Sequence, residues 1–113
     1  MARLVWTEPA LAQLKDIADY VALDNPEAAS RLVKGVYEAA ERLAQFPESG
    51  RTPPELPNSV YREILHRPCR LFYRLAGDQV LIVHTMREEQ LLRRYLLHEA
   101  RAVYSASAAP SNH

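Results

Sequence analysis

Basic side chains cluster in one short stretch of the second half of the chain. Four arginines and a histidine fall within thirteen residues, and only Glu63 opposes them: Arg62, His66, Arg67, Arg70 and Arg74. Arginine presents a planar fork of N–H donors that matches the oxygens of carboxylate or phosphate groups. The cluster therefore predicts a surface that binds phosphate or, equally, a rim of solvated arginines.

Charge is divided unevenly along the chain, although the formal net charge is zero. Residues 1–50 contain five Lys or Arg against eight Asp or Glu. Residues 51–113 contain nine Arg, no Lys and six Asp or Glu. This excess of arginine favours bidentate contacts to carboxylate or phosphate, but a GC-rich genome would produce the same bias.

Strong enzyme and cofactor motifs are missing from the sequence. Its three glycines form neither a phosphate-binding loop nor a dinucleotide fingerprint. The four histidines are dispersed, and none lies at metal-ligand spacing with a second ligand. We therefore expect no cofactor and no metal site. The single Cys69 cannot form an internal disulfide, which fits a reducing cytoplasm.

The first half of the chain carries the pattern of two amphipathic helices. Residues 2–6 form a short β-prone run, and Thr7 follows as a helix N-cap. Apolar residues recur at helical spacing up to the break at 24–26, where Asn25 caps a second helix. The second apolar stripe ends before the proline-rich loop of residues 47–59. Two such helices predict an antiparallel helical hairpin.

Three strand-like runs follow that loop, at residues 60–66, 70–76 and 79–86. Gly77 and Asp78 lie between the last two runs and form a two-residue hairpin signal. From Glu88, acids followed by arginines on an apolar stripe predict a final helix. This half of the chain therefore predicts an antiparallel meander and a C-terminal helix.

The complete pattern predicts one α+β domain over residues 1–104. It consists of an N-terminal strand, an antiparallel helical hairpin, a three-stranded antiparallel meander and a C-terminal helix. The small and polar residues at 105–113 predict a disordered tail. Because no apolar run is long enough to span a membrane and the N-terminus lacks a signal-peptide pattern, we expect a cytoplasmic protein with no membrane partner.

The predicted sheet would bring several basic side chains close together. Side chains two residues apart in a strand share a face, so Arg70 shares a face with Arg74. Neighbouring strands would add Arg62 or His66 on one side and residues at the end of the third strand on the other. The predicted target- or phosphate-binding residues are Arg62, Arg70, Arg74 and Arg87.

Two long stretches resemble the RelE/ParE toxin superfamily and together cover about residues 3–87. The first, from "VWTEPALAQLKDIADYVALDNPEAAS" to "FPESGR", is similar to the family's opening helical hairpin. The second, "YREIL…CRLFYRLAGDQVLIVHTMR", is similar to its three strands. The motifs are Trp-Thr before an Ala-rich helix, the Asp-Asn-Pro break, the Phe-Pro-x-x-Gly-Arg exit and the Arg-Glu and Tyr-Arg strands.

The resemblance implies the toxin of a bacterial type II toxin–antitoxin operon, neutralised by a cognate antitoxin in a hetero-oligomer. ParE-like members poison DNA gyrase and block replication without a known catalytic residue. RelE-like members are endoribonucleases that cut mRNA on the ribosome. The long hairpin and its "DNPEAA" turn favour the ParE-like branch, a gyrase inhibitor and not an enzyme, with the ribosome and mRNA as the alternative targets.

The nuclease alternative depends on a set of residues that is incomplete. The resemblance places Arg70 and Arg87 where RelE-like nucleases carry phosphate-handling arginines. The nuclease lysines are missing, since Lys15 and Lys34 both lie on the hairpin. A ribonuclease would then have to use these side chains: Arg70, His84, Arg87 and Tyr95, the last displaced from the family's register.

The antitoxin is expected on the apolar surface of the hairpin and the first strand. An antitoxin segment would bind there as a helix in a groove or by adding a strand to the sheet. Acidic antitoxin side chains would suit the arginine-rich half. The predicted antitoxin-binding residues are Trp6, Leu14, Ile17, Val21, Leu32 and Val36.

Overall fold

The structure, a computed structural model, describes residues 1–90. Its elements in chain order are β1 (Arg3–Trp6), α1 (Glu8–Ala22), α2 (Pro26–Gln45), β2 (Arg62–His66), β3 (Cys69–Ala76) and β4 (Gln79–Arg87). This order confirms the predicted α+β class. Residues 88–90 form a turn where the final helix was expected to begin. The rest of that helix and the tail at 105–113 lie outside the described residues.

Side-chain caps begin both helices, as their sequences predict. The Oγ1 atom of Thr7 accepts a hydrogen bond from the main-chain N–H of Ala10 at 3.4 Å. The Oδ1 atom of Asn25 accepts one from the N–H of Ala28 at 3.1 Å. Each cap satisfies an N–H group that has no partner within its own helix. A proline in the first turn of each helix adds a backbone angle already suited to helix.

The four strands form one mixed sheet in the order β1-β4-β3-β2. Strands β2, β3 and β4 make the predicted antiparallel meander, and Gly77 turns the last hairpin with φ of 61°. Strand β1 pairs with β4 in parallel, with Leu4 opposite Val80. The helical hairpin is therefore the connection that carries the chain from one edge of the sheet to the other.

A β-bulge interrupts the pairing of β3 with β4. Phe72 lies opposite His84, whereas the next residue, Tyr73, lies opposite Ile82. Val83 is thus the extra residue on β4. Because a bulge bends its strand and increases the local twist, the end of β4 is directed differently from its start.

The sheet is covered on both faces. The helical hairpin packs on one face and forms the larger core with alternate residues of β3 and β4, among them Leu71, Tyr73, Val80 and Ile82. The loop between α2 and β2 covers the other face, where Leu56 and Tyr61 pack with Phe72, Leu81, Val83 and Met86. This double cover explains why "VLIV" in β4 is apolar at every position.

Candidate functional site

Arg70 lies at the centre of a buried ion-pair network. Its Nη1 and Nη2 atoms each donate to one carboxylate oxygen of Glu55 at 2.8 Å, and its Nε atom donates to Oε1 of Glu63 at 2.9 Å. Its guanidinium also lies 4.9 Å from the ring centre of Phe72. The hydrogen bonds to Glu55 are the main cause that raises the pKa of Arg70; burial acts in the opposite direction, and Glu63 adds to the rise. The positive charge of Arg70 is therefore compensated by carboxylates of the same chain.

Glu63 connects this network to the covering loop. Its carboxylate is fully buried and, besides the bonds from Arg70, accepts a hydrogen bond from Nε of Arg51 at 3.1 Å. The main chains of the same two residues exchange hydrogen bonds of 3.0 and 2.7 Å. A buried carboxylate is tolerated only where such partners compensate its lost hydration. The network therefore fastens the loop to the edge strand β2.

Arg62 and Tyr73 fasten the beginning of the same loop. The Nη1 atom of Arg62 donates to the carbonyl oxygens of Glu48 at 3.1 Å and Gly50 at 2.9 Å. The Tyr73 hydroxyl donates to the carbonyl of Pro47 at 2.8 Å and accepts from the N–H of Gly50 at 2.9 Å. These bonds satisfy main-chain groups that form no regular ladder. Arg62 thus has a structural role in this conformation.

Arg87 lies on the opposite face of the sheet from Arg70. It pairs with Cys69, whose side chain belongs to the core under the helices, and neighbours along a strand point to opposite faces. The Arg87 guanidinium lies 5.0 Å from the ring centre of Tyr20 on α1. A 2.6 Å bond to Glu89 is the main cause that raises the pKa of Arg87.

His84 lies at the bulge and is 5% exposed. Its ring centre is 6.1 Å from that of Phe72. Burial lowers the pKa of His84 to about 4, so the imidazole is neutral at pH 7. A general base is most effective when its pKa lies near the working pH. His84 does not meet this condition in the described structure.

The three described residues of the nuclease alternative are therefore not assembled into one site. Arg70 and Arg87 are separated by the sheet, His84 is buried and neutral, and Tyr95 lies outside the described residues. Arg74 shares the face of Arg70, lies opposite Leu81 and is half-exposed.

Two carboxylates, Glu55 and Glu63, bind the guanidinium of Arg70, and the sequence gives unequal signals for them. Glu63 was visible as the only acid among the arginines, and strand pairing places it opposite Phe72, on the same face as Arg70. Glu55 carries no comparable signal, because it lies in a loop whose path over the sheet has no sequence period. The sequence therefore indicates one of the two partners of Arg70.

Most of the predicted antitoxin-binding residues lie inside the domain. Four of them belong to the core under the hairpin: Leu14, Ile17, Leu32 and Val36. Trp6 and Val21 are half-buried at the margin of that core. The ring of Trp6 meets the ring of Tyr37 edge-on at 5.4 Å, and Tyr37 is 40% exposed. Antitoxin contact with these six residues stays a prediction.

Within residues 1–90, no group of three or more His, Cys, Asp or Glu residues is placed to hold a metal ion. None of the helices in this part of the chain has the length and hydropathy needed to cross a membrane.

Comparison with known proteins decides the family. The model of the family described as "ParE toxin of type II toxin-antitoxin system, parDE" matches residues 4–92. The chain belongs to the ParE toxin family. This confirms the predicted superfamily, and membership implies that the ParE-family chain has a cognate antitoxin.

Individual relatives agree with this assignment. The ParE-family chain is 37% identical over 87 residues to "Toxin RelE2" of Caulobacter vibrioides, a match that covers 77% of the chain and 92% of the relative. It is 34% identical over 76 residues to "Putative toxin Y4kP" of Sinorhizobium fredii, covering 67% and 78%. In a solved structure titled "Chromosomal ParDE TA system from P. aeruginosa", one chain superposes with a TM-score of 0.67 at 33% identity. That match covers 79% of this chain and 98% of the other.

Proposed function

We propose that this toxin inhibits DNA gyrase and thereby blocks replication, and that its cognate antitoxin neutralises it in the cytoplasm. The observation that carries the proposal is the ion-pair network of Arg70. Both carboxylates that bind its guanidinium are part of the same chain, so the arginine is not presented to an RNA phosphate. A toxin that acts by binding needs no such catalytic cation.

The family match supports the same choice. The ParE family model covers residues 4–92, which includes the hairpin, strands β2, β3 and β4, and all but the first residue of β1. ParE-like members are the gyrase-directed branch that the sequence resembles. The relative named "Toxin RelE2" keeps the second candidate open, because the RelE-like members are ribosome-dependent endoribonucleases.

The ribonuclease alternative would require a rearrangement of the described structure. Arg70 would have to exchange Glu55 for a phosphate, and Arg87 would have to act from the other face of the sheet. His84 would have to gain exposure before it could transfer protons near pH 7. These three requirements make an enzyme the weaker proposal.

Expression of the chain without its antitoxin separates the two candidates. We expect growth arrest with induction of the DNA-damage response, while protein synthesis continues at first. Purified toxin should stabilise gyrase–DNA cleavage complexes or inhibit supercoiling, and added antitoxin should reverse the effect. Immediate arrest of translation, with mRNA cut in a ribosome assay and gyrase unaffected, would reject the proposal in favour of the nuclease.

One variant, compared with the wild type, sharpens that assay. Arg87→Ala removes an arginine that the nuclease alternative needs, while its side chain lies outside the core network. If the protein cuts mRNA, this substitution should abolish cleavage. Under the gyrase proposal, no ribosome-dependent cleavage is seen with either the wild type or the variant. Toxicity that is absent from both proteins and from every assay would identify an inactive family member and would also reject the proposal.

A further inference from the structure

Strand β4 is longer than the strand that pairs with its outer edge. The last main-chain bond between the two segments runs from the N–H of Thr7 to the carbonyl of Ile82 at 3.1 Å, and the Thr7 hydroxyl donates to the same carbonyl at 2.8 Å. The chain then enters α1, whereas β4 continues to Arg87. Beyond Ile82, the outer edge of β4 therefore faces no strand of residues 1–90.

The β-bulge decides which main-chain groups face this open edge. Along a regular strand, alternate residues point their N–H and C=O groups to the same edge. Ile82 points its carbonyl to the outer edge, where Thr7 binds it. The extra residue Val83 shifts the alternation by one position. As a result, Thr85 and Arg87 present their N–H groups to the open edge.

Two glutamines occupy these N–H groups. The N–H of Thr85 donates to Oε1 of Gln13 on α1 at 2.8 Å, and the N–H of Arg87 donates to Oε1 of Gln90 at 3.0 Å. The N–H of Gln90 in turn donates to the carbonyl of Arg87 at 3.0 Å. Gln90 thus binds both main-chain groups of Arg87, as a residue of a neighbouring strand would.

A cleft between α1 and the end of β4 keeps this edge within reach of another chain. It has a volume of about 450 Å³, and its apolar lining includes Ile17, Tyr20 and Met86. A strand edge with unpaired main-chain groups is a template for pairing with another molecule, and natural proteins block such edges. An open edge beside an apolar wall is therefore a place where blocking is needed.

We propose that Gln13 and Gln90 block the outer edge of β4 and so prevent two copies of the free toxin from pairing edge to edge. Without the glutamines, an antiparallel pair about a two-fold axis would place Thr85 of each copy opposite Arg87 of the other. Such a pair would give every freed N–H group a main-chain acceptor. The inference goes beyond the proposed function, because it does not depend on the target of the toxin.

Glutamine has the chemistry that this blocking requires. Its amide oxygen accepts a main-chain N–H bond as a peptide carbonyl does, and it carries no charge. A strand that covered the edge would expose a new edge of its own, whereas a side chain ends at its amide group. The bonds from Gln13 and Gln90 therefore end the hydrogen-bond ladder of the sheet.

Sedimentation of the full chain tests the proposal. We expect the wild type to stay monomeric over a wide range of concentrations and Gln13→Ala/Gln90→Ala to self-associate at least about tenfold more tightly. Gln45→Ala is the control, since Gln45 is exposed at the end of α2, and it should behave as the wild type. A double variant as monomeric as the wild type would overturn the proposal, as would a wild type that already pairs through β4.

Amide hydrogen exchange locates the contact between copies. In the double variant, the amides of Thr85 and Arg87 should become protected as the concentration rises, because the two edges pair. Leu65 on β2 serves as the internal control, since β2 forms the opposite edge of the sheet. Association without protection of Thr85 and Arg87, or with protection confined to β2, would overturn the proposal.

A third substitution separates edge pairing from misfolding. Thr85→Pro, added to the double variant, removes the outward N–H but spares the ladder with β3, because that N–H faces α1. We expect it to restore the monomer, whereas association through unfolded chains would persist. Urea denaturation shows whether each variant is folded. A folded triple variant that still associates would overturn the proposal. If the triple variant does not fold, the exchange measurement decides alone.

Discussion

Arg70 and Glu55 form a bidentate salt bridge between β3 and the covering loop, with both N–O distances at 2.8 Å. The two residues are fifteen positions apart in the chain. Because planar guanidinium and carboxylate groups match in this geometry, the bridge fixes orientation as well as distance. It holds the loop over the face of the sheet where Leu56 and Tyr61 complete the second core.

Removal of the Arg70 side chain should destabilise the fold. Arg70→Ala leaves Glu63 fully buried with Arg51 as its remaining cation. Breaking a buried pair from one side costs about 3–5 kcal/mol, because the abandoned charge stays unsolvated. Urea denaturation should therefore show a large fall in the free energy of unfolding.

Arg74→Ala is the matched control, since Arg74 lies on the same strand and face but is half-exposed. A change within about 1 kcal/mol is expected there. Equal effects of the two substitutions would mean that the buried network does not stabilise the domain. A loss of toxicity in Arg70→Ala should accordingly be tested for unfolding before it is assigned to a binding role.

The Tyr73 hydroxyl should contribute measurably to stability through the start of the loop. Tyr73→Phe removes the donor to Pro47 and leaves the buried N–H of Gly50 without its acceptor. An unsatisfied buried group costs about 1–3 kcal/mol. Urea denaturation measures the change. The exposed Tyr20 offers the control Tyr20→Phe, for which we expect a change within about 0.5 kcal/mol. The role of Tyr73 is refuted if both substitutions are equally mild.

Gly35 and His66 should be coupled. A Cβ atom built on Gly35 would overlap Nε2 of His66, so Gly35→Ala forces the imidazole to move. In a helix interior, alanine is otherwise favoured over glycine by about 1 kcal/mol. We therefore expect Gly35→Ala to stabilise the His66→Ala variant but to be neutral or destabilising in the wild type. A double-mutant cycle measures the coupling, and additivity of the two changes would contradict the close approach.

The elements of this fold that follow from nearby residues could be predicted from the sequence. Thr7 and Asn25 cap helices through bonds to residues three positions away, and Gly77 supplies the positive φ of a two-residue turn. Apolar spacing then gives the hairpin and the meander. By contrast, the parallel pairing of β1 with β4 joins distant segments through main-chain bonds that have no residue preference.

The candidate site was harder to predict for the same reason. The arginine cluster could be recognised in the sequence. The sequence does not determine whether an arginine of the cluster binds a carboxylate of its own chain or a phosphate of a target. That depends on the path of the loop, which brings Glu55 to Arg70. The bulge at Val83, which shifts the pairing beside His84, likewise has no signal in an apolar run.

The stability of the domain should fall in mild acid because of His84. Burial holds the pKa of this imidazole at about 4, below the ordinary value of 6.5. Between these values the unfolded chain binds a proton that the folded chain excludes, so stability rises with pH. The contribution of the neutral His84 imidazole to the free energy of unfolding is fully present above about pH 6.5 and is lost as the pH falls towards 4. This contribution is at most about 3 kcal/mol, at 1.36 kcal/mol per unit of pKa.

Thermal or urea unfolding between pH 4 and 7 measures this dependence. His84→Leu removes the titrating group and should flatten the profile relative to the wild type. Thr85→Val changes the adjacent residue without removing a charge, so its profile should run parallel to that of the wild type. Carboxylates common to all three proteins titrate equally and cancel in the comparison. If His84→Leu loses stability in acid as steeply as the wild type, the buried imidazole is not the acid-sensitive group.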